Sequence, residues 1–211
     1  MTPAAWVAFA LAAVAGLTDW WSVARDRREV EAIAKPAVLV ALIAAATSLT
    51  PADPAVRTAM VVGLTLGLIG DVLLFYDQFL AGAAAFLVGH LAYLVAFLLT
   101  PLQLPYLIGG AVLLGVLVGT VAGPIVRGAR ERSTTLGTVV TCYLVVIGAV
   151  LVFGVGTGNL WVIAGVILFA ASDALLAYGR FVRDAPGGRV AVHVTYHVAQ
   201  ALLVASLLTL A

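Results

Sequence analysis

Two aspartates stand at matching places in two apolar segments of the sequence. Asp71 lies in GDVLLFYDQF at 70–79 and Asp173 in SDALLAYGRF at 172–181, and the two stretches share Leu-Leu, Tyr and Phe at the same offsets. Two carboxyl groups in an apolar cavity can divide acid and base roles, because burial and repulsion keep one protonated while neighbouring groups keep the other ionised. The pair therefore predicts acid–base chemistry.

The composition explains why such acids are unusual. The chain of 211 residues is 64% hydrophobic and only 10% charged, whereas a soluble domain carries about 25% charged residues. We therefore expect an integral membrane protein. The net charge is only +1 and the sequence has no concentrated basic patch, so we do not expect nucleic acid as a partner. Cys142 is the only cysteine, which excludes an internal disulfide and a cysteine-based metal site.

Apolar runs separated by charged or Pro/Gly-containing stretches predict eight membrane spans within a single membrane domain, 1–211. Most have about 20 residues, enough to cross a hydrocarbon core of about 30 Å, and only helices satisfy the backbone there. The first segment lacks a basic leader and is expected to be a retained helix. The predicted spans are Trp6–Val23, Lys35–Thr50, Arg57–Tyr76, Phe79–Leu99, Pro105–Val126, Thr135–Gly154, Leu160–Tyr178 and Val190–Leu210.

Basic residues predict the orientation of these all-α spans. Ten of the eleven Lys and Arg residues fall at one side, and Arg57 alone falls at the other. The positive-inside rule places the ten in the cytoplasm and both termini outside; the Ala-, Val-, Gly- and Arg-rich usage suggests a bacterial inner membrane. Asp71 and Asp173 then lie on spans of the same direction, which predicts a parallel repeat of halves 1–104 and 105–211.

Further polar residues are expected to meet the two acids about 10 Å from the cytoplasmic edge of the membrane core. Each acid near the bilayer centre costs about 2.5–3.5 kcal/mol, so both are functional candidates by default. Asp19 and Asp77, close to the inner interface, are expected to be solvated. The residues predicted to converge on a cavity open to the cytoplasmic leaflet are Lys35 at the start of span 2, His90 and Tyr93 on span 4, and His193, Tyr196, His197 and Gln200 on span 8.

Simpler interpretations exist for each of these residues. The acids could bond helices together, Lys35 could extend to the interface, and His90 and Tyr93 could be interhelical or core residues. His193 and His197 have the spacing of two metal ligands on one helix face, and with His90 and the acids could hold zinc. A bare H-x-x-x-H is common by chance, so we predict neither a metal nor another cofactor.

Five motifs in order resemble the YhhN family of membrane proteins, the lysoplasmalogenases. They are AKPAVL at 34–39, GD at 70–71, G-x-x-x-F-x-x-x-H-x-x-Y from Gly82 to Tyr93, SD at 172–173 and Y-x-x-x-Q from Tyr196 to Gln200. The resemblance implies eight helices and hydrolysis of the vinyl ether bond of a lysophospholipid drawn from the membrane. It implies catalytic roles for Asp71 and Asp173 and substrate-binding roles for Lys35, His90, Tyr93, Tyr196 and Gln200; His193 and His197 are outside the family's motif.

The implied chemistry suits a pair of carboxyl groups. One acid would protonate the β-carbon of the vinyl ether, and the other would stabilise the oxocarbenium ion and deprotonate water, as in glycosidases. Lys35 at the mouth would meet the substrate phosphate. A proton-coupled transporter for a small solute or lipid is the alternative, since parallel repeats and intramembrane acids also suit a carrier; a lipid-binding scaffold is a third. The headgroup, the role of each Asp and the oligomeric state stay open from sequence.

Overall fold

A computed structural model describes residues 2–49 and 53–210, and its regular elements are all helical. They are α1 (Pro3–Ala24), α2 (Arg28–Ser48), α3 (Pro54–Phe75), α4 (Phe79–Leu98), α5 (Leu104–Leu117), a π-helical turn (Val118–Ala122), α6 (Gly123–Arg132), α7 (Thr134–Gly156), α8 (Leu160–Phe181) and α9 (Gly188–Ser206). α5, the π-helical turn and α6 follow one another without a break.

These helices confirm the predicted all-α, polytopic fold. Seven helical segments in the described part of the chain are long and apolar enough to cross a membrane: α1 to α4, the continuous Leu104–Arg132 segment, α7 and α8. α9 completes the eight predicted segments with 19 residues. It carries the polar stripe of His193, Tyr196, His197 and Gln200, all of which are buried. The internal repeat of halves 1–104 and 105–211 stays a prediction.

The predicted start of span 2 is wrong by seven residues. α2 begins at Arg28 rather than Lys35, and Pro36 lies inside it. Glu29 and Glu31 occupy its first turn, where carboxylates interact favourably with the positive end of the helix dipole. Lys35 therefore lies about 10 Å from the start of the helix instead of at its first residue. At the other end of the chain α9 stops at Ser206, short of the predicted Leu210.

The fifth span is longer than predicted and irregular in its middle. The π-helical turn ends immediately before Gly123 and Pro124. Proline has no N–H to bond the carbonyl four residues earlier, that of Thr120, so the helix cannot keep its ordinary register there. The chain resumes as α6 and carries Arg127, Arg130 and Arg132 on a helix rather than in a loop.

The two aspartates lie among closely packed helices, because α3 packs against α4 and α9 packs against α8 and α3. The strongest helix pairs are α1 with α2, α3 with α4, and α8 with α9, and α9 also touches α1, α2 and α3. Gly70 lets α4 approach α3, because a Cβ on Gly70 would lie 2.6 Å from the ring of Phe86. Since α9 borders both halves of the chain, residues of α2, α3, α8 and α9 can face one cavity.

Candidate active site

A cavity of about 470 Å³ lies between α2, α3, α4, α8 and α9. It reaches the end of the bundle formed by the α1–α2 and α3–α4 turns, whose Asp26 and Asp77 line it. Asp71 and Asp173 both line this cavity, as the sequence predicts. The remaining wall is contributed by Arg28, Glu31, Lys35, Leu74, Phe75, Phe86, Ser172, Leu176, Arg189, Val192, His193 and Tyr196.

Asp71 forms a buried ion pair with Lys35. The ammonium Nζ lies 2.9 Å from Oδ1 of Asp71, and the side chains of Lys35 and Asp71 are 14% and 1% exposed. The other oxygen, Oδ2, is buried and has no hydrogen-bond partner among the described residues. Lys35 thus compensates one carboxylate of the cavity, and its side chain does not extend away to the interface.

Asp173 is surrounded by different groups. The Tyr143 hydroxyl donates a 2.9 Å hydrogen bond to its Oδ2, and Nε2 of His90 lies 3.4 Å from the same oxygen. Nδ1 of His90 is 2.7 Å from the carbonyl oxygen of Phe86. A carbonyl can only accept, so Nδ1 must carry a hydrogen and Nε2 of a neutral His90 is an acceptor. Nε2 of His90 has no hydrogen-bond partner among the described residues, and its lone pair stands beside the Asp173 carboxyl group.

Tyr196 lies at the cavity wall beside Lys35 and Phe86. The ammonium of Lys35 is 5.7 Å from the centre of the Tyr196 ring, within the range of a cation–π contact. The ring also meets Phe86 edge to face at 5.9 Å. Its buried hydroxyl has no hydrogen-bond partner in the described part of the chain, and its polar neighbours are the Asp71 carboxyl group and the Gln200 amide.

His90, Tyr93 and Gln200 lie behind the cavity wall. Tyr93 is 2% exposed and Gln200 is fully buried, and the Tyr93 hydroxyl donates a 2.6 Å hydrogen bond to Oε1 of Gln200. This bond joins α4 to α9. His90 reaches the cavity only through Asp173. None of the three lines the cavity, and their contact with substrate stays a prediction.

A second polar cluster borders the cavity at α1 and α9. Asp19 is fully buried, so the expectation that it is solvated is wrong; the exposed Asp77 meets that expectation. His193 Nδ1 lies 2.7 Å from Asp19 Oδ2, and the indole Nε1–H of Trp20 donates to Nδ1 of His197 at 3.2 Å. Asp19 is buried because the face of α1 that carries it packs against α9.

This cluster does not gather the ligands of the zinc alternative. His193 and His197 face Asp19 of α1, whereas His90 contacts Asp173 of α8. Within the described ranges, no three His, Cys, Asp or Glu side chains are arranged to hold a metal ion.

Several site residues were missed in the sequence. Tyr143 is the only tyrosine of α7. A tyrosine hydroxyl in so apolar a segment is a sequence feature that indicates a candidate site residue. Glu31 precedes the predicted span 2 but lies in α2, where it is 3% exposed. It pairs with Arg189 across the cavity mouth. The two residues are 158 positions apart in the sequence, so no local sequence pattern predicts their pairing.

The model of the YhhN family matches residues 30–207, most of the chain and all helices that line the cavity. The chain belongs to the YhhN family. It is a multi-pass membrane protein, as the resemblance of its motifs indicated.

Curated relatives of this YhhN protein are named lysoplasmalogenases. It is 34% identical over 138 residues to the pig protein Lysoplasmalogenase TMEM86B, covering 64% of this chain and 57% of the relative. It is 35% identical over 150 residues to the mouse protein of that name, covering 69% and 61%, and 32% identical over 148 residues to the human one, again covering 69% and 61%. The chain thus spans about three fifths of these relatives' length. No solved structure matches it.

Proposed function

We propose that this protein hydrolyses the vinyl ether bond of a lysoplasmalogen, an alkenyl-glycerophosphoethanolamine or -choline, to a fatty aldehyde and the glycerophospho-base. The observation that carries the proposal is the presence of two carboxyl side chains, Asp71 from α3 and Asp173 from α8, in the wall of one cavity inside the helical bundle. The names of the curated relatives support the same substrate class.

The reaction consumes one water and needs both a proton donor and a proton acceptor. A proton adds to the β-carbon of the alkenyl chain, and the electrons of the double bond form the new C–H bond. The resulting oxocarbenium ion accepts water at the carbon attached to the ether oxygen. The hemiacetal then breaks its bond to the glycerol oxygen, which takes up a proton, and the chain leaves as an aldehyde. The catalyst ends with the same number of protons.

We assign the acid role to Asp173. Its neighbours are the Tyr143 hydroxyl and the imidazole of His90, and the tautomer of His90 fixed by Phe86 leaves a lone pair facing the carboxyl group. A proton on Asp173 would therefore have the unpaired Nε2 of His90 3.4 Å away. A neutral carboxylic acid is the donor that carbon protonation requires.

We assign the carboxylate role to Asp71. Lys35 balances its charge at 2.9 Å, and the free Oδ2 can face the oxocarbenium ion or accept a proton from the attacking water. The Tyr196 hydroxyl, also without a partner among the described residues, can orient that water or the ether oxygen. Lys35 thus acts on the reacting end of the substrate rather than on its phosphate.

The headgroup is best placed at the open end of the cavity. Arg28 lines this end, and its guanidinium lies 5.3 Å over the Phe75 ring without an acidic partner in the described ranges. Arg189 is engaged by Glu31 and, at 3.7 Å, by Asp26. Arg28 is therefore the cation we assign to the substrate phosphate, because a guanidinium can bind two phosphate oxygens at once.

The end of the helical bundle at which the cavity opens carries most of the chain's basic residues. By the positive-inside rule this end faces the cytoplasm, so substrate would enter from the inner leaflet, with both termini outside and the protein in a bacterial inner membrane. Single cysteines placed at Arg127 and at Trp161 in a Cys142→Ala background test this orientation. We expect an impermeant maleimide to label position 161 in intact cells and position 127 only after lysis; the reverse pattern would overturn it.

The purified protein in detergent, supplied with an alkenyl lysophosphatidylethanolamine in D₂O, tests the function. We expect fatty aldehyde carrying one deuterium at the carbon next to the carbonyl, together with glycerophosphoethanolamine. An alkyl lysolipid of the same length is the matched control and should stay intact, because it has no double bond to protonate. Release of unlabelled aldehyde would refute carbon protonation. No product, together with lipid-driven proton flux in liposomes, would favour the transporter alternative.

A further inference from the structure

A buried carboxyl group and an imidazole meet beside the polar cavity, apart from the two aspartates of the proposed chemistry. Oδ2 of Asp19 on α1 lies 2.7 Å from Nδ1 of His193 on α9, and the Asp19 side chain is fully buried. Oδ1 of Asp19 has no hydrogen-bond partner in the described part of the chain. The imidazole of His193 is therefore the group that this carboxyl group holds in place.

The contact with Asp19 decides which nitrogen of His193 is free for chemistry. An ionised carboxylate can only accept a hydrogen bond, so Nδ1 carries the hydrogen and Nε2 of a neutral His193 keeps its lone pair. Nε2 lies 3.9 Å from Oε1 of Glu31, beyond hydrogen-bond distance, and His193 and Glu31 both line the cavity. The imidazole thus presents a basic nitrogen to the cavity, as the aspartate-held histidine of a hydrolase triad does.

Spacing along α9 places His193 between the mouth of the cavity and its reacting end. Arg189, His193 and Tyr196 follow one another at i, i+4 and i+7, share one helix face and all line the cavity. His193 lies about 6 Å deeper than Arg189 at the mouth and about 4–5 Å short of Tyr196. The Tyr196 ring contacts the cation that is paired with Asp71. With the phosphate at the mouth and the vinyl ether at the aspartates, the glycerol oxygen that joins them lies level with His193.

We propose that His193, oriented by Asp19, carries a proton from the attacking water to the leaving glycerol oxygen. The inference rests on the proposed function, because that reaction removes a proton from water and later delivers one to the glycerol oxygen. Asp71 then faces the oxocarbenium ion, while Asp173 exchanges its proton with the carbon and with the hemiacetal hydroxyl. His193 is a catalytic residue in this scheme, and Asp19 is a positioning residue.

The protons of this scheme balance over one turnover. Asp173 gives its proton to the β-carbon and becomes a carboxylate. Nε2 of His193 takes a proton from water as the water oxygen bonds to the oxocarbenium carbon, which leaves a neutral hemiacetal and an imidazolium. When the C–O bond to glycerol breaks, the imidazolium protonates the glycerol oxygen and the Asp173 carboxylate takes the hydroxyl proton. Asp19 and Glu31, on opposite ring nitrogens, stabilise the imidazolium between these steps.

Imidazole added to a variant without the ring tests the catalytic role of His193. We expect His193→Ala to release aldehyde from alkenyl lysophosphatidylethanolamine about a hundredfold more slowly than wild type, and added imidazole to recover about tenfold of that loss. His197→Ala is the matched control, because this buried ring of the same helix contacts Trp20 outside the cavity wall; imidazole should leave its rate unchanged. A wild-type rate in His193→Ala, or a loss that imidazole does not reduce, would overturn the proposal.

Asp19→Asn tests the positioning role. The amide keeps the size of the side chain but can donate to Nδ1, which fixes the other tautomer and puts a hydrogen on Nε2. We expect kcat to fall about tenfold to a hundredfold without a change in KM, and imidazole to give no recovery, because the ring of His193 still occupies its place. A wild-type kcat, or an effect on KM alone, would contradict the role of Asp19.

Diethyl pyrocarbonate detects the free nitrogen without requiring turnover, since it acylates the lone pair of a neutral imidazole. All three histidines lie in the described ranges, and of these only His193 lines the cavity. Mass spectrometry should find His193 modified before His90 and His197, more slowly in Asp19→Asn, and more slowly when an unreactive alkyl lysophosphatidylethanolamine is present. Modification of the three histidines at equal rates would overturn the proposal.

The two assays together separate this inference from the proposed function. Aldehyde release that persists in His193→Ala would refute the role of the dyad and retain the hydrolysis. A wild-type protein that releases no aldehyde would refute the hydrolysis, and preferential modification of His193 with protection by the alkyl lipid would then retain the dyad as a reactive group of the cavity. Should His193→Ala fail to fold, His193→Gln makes the same test of rate.

Discussion

Removing the ammonium of Lys35 while keeping the length of its side chain isolates the role of the buried ion pair. At 2.9 Å, two unit charges attract by about 6 kcal/mol at an effective dielectric constant of about 20, before the cost of desolvation is subtracted. The net loss on leaving Asp71 without its partner is expected to be about 3–5 kcal/mol, the usual range for breaking a buried pair. For a chain of this size it corresponds to a fall in Tm of roughly 6–20 °C.

The assay is thermal unfolding of Lys35→Met in detergent, followed by helical circular dichroism. Arg127→Met is the matched control, since that cation is exposed on α6, and its Tm should stay within about 2 °C of wild type. The double variant Lys35→Met/Asp71→Asn should regain most of the lost Tm, because no unpaired charge is left buried. A double variant as unstable as Lys35→Met alone would refute the reasoning, since the loss would then come from packing.

Three further substitutions have expected outcomes. Tyr143→Phe removes the donor to Asp173, and we expect aldehyde release to fall about tenfold to a hundredfold with a loss of about 1 kcal/mol in the free energy of unfolding; unchanged activity in the aldehyde assay would contradict the role of this bond. Tyr93→Phe breaks the buried bond to Gln200, and SDS titration should show about 1–3 kcal/mol lower stability without a change in KM; a raised KM would instead indicate substrate contact. Gly67→Val crowds the Tyr196 hydroxyl and the Gln200 amide, which lie 3.1 and 3.3 Å from the position of a Cβ, so we expect about 1–3 kcal/mol of destabilisation in the same titration; full stability would show that α9 can shift.

The segments of the chain were predictable because lipid imposes one secondary structure. An apolar run of about 20 residues must be helical in a bilayer, and this gave all eight segments. The errors fall at features that hydropathy does not predict. Glu29 and Glu31 extended α2 beyond its apolar run, and Pro124 introduced a π-helical turn whose register depends on hydrogen bonds that hydropathy does not report.

The site was predictable only in part, for a similar reason. Asp71, Asp173, Lys35 and Tyr196 were found because charged or polar groups stand out in an apolar segment, and all four line the cavity. Spacing along one helix shows which residues share a face but not which helix that face meets. His90 and Gln200 therefore share the expected region without lining the cavity, and the mouth pair of Glu31 and Arg189 depends on tertiary packing alone.

The most direct test of the central claim is the rate of aldehyde release by Asp71→Asn and Asp173→Asn, with Asp184→Asn in the α8–α9 loop as the matched control. Asparagine preserves the shape of each side chain and removes its ability to give or take a proton. The account predicts that each cavity variant loses at least a hundredfold in kcat at an unchanged folded fraction, and that the loop variant keeps the wild-type rate. Wild-type rates in both cavity variants would contradict catalysis by the paired carboxyl groups.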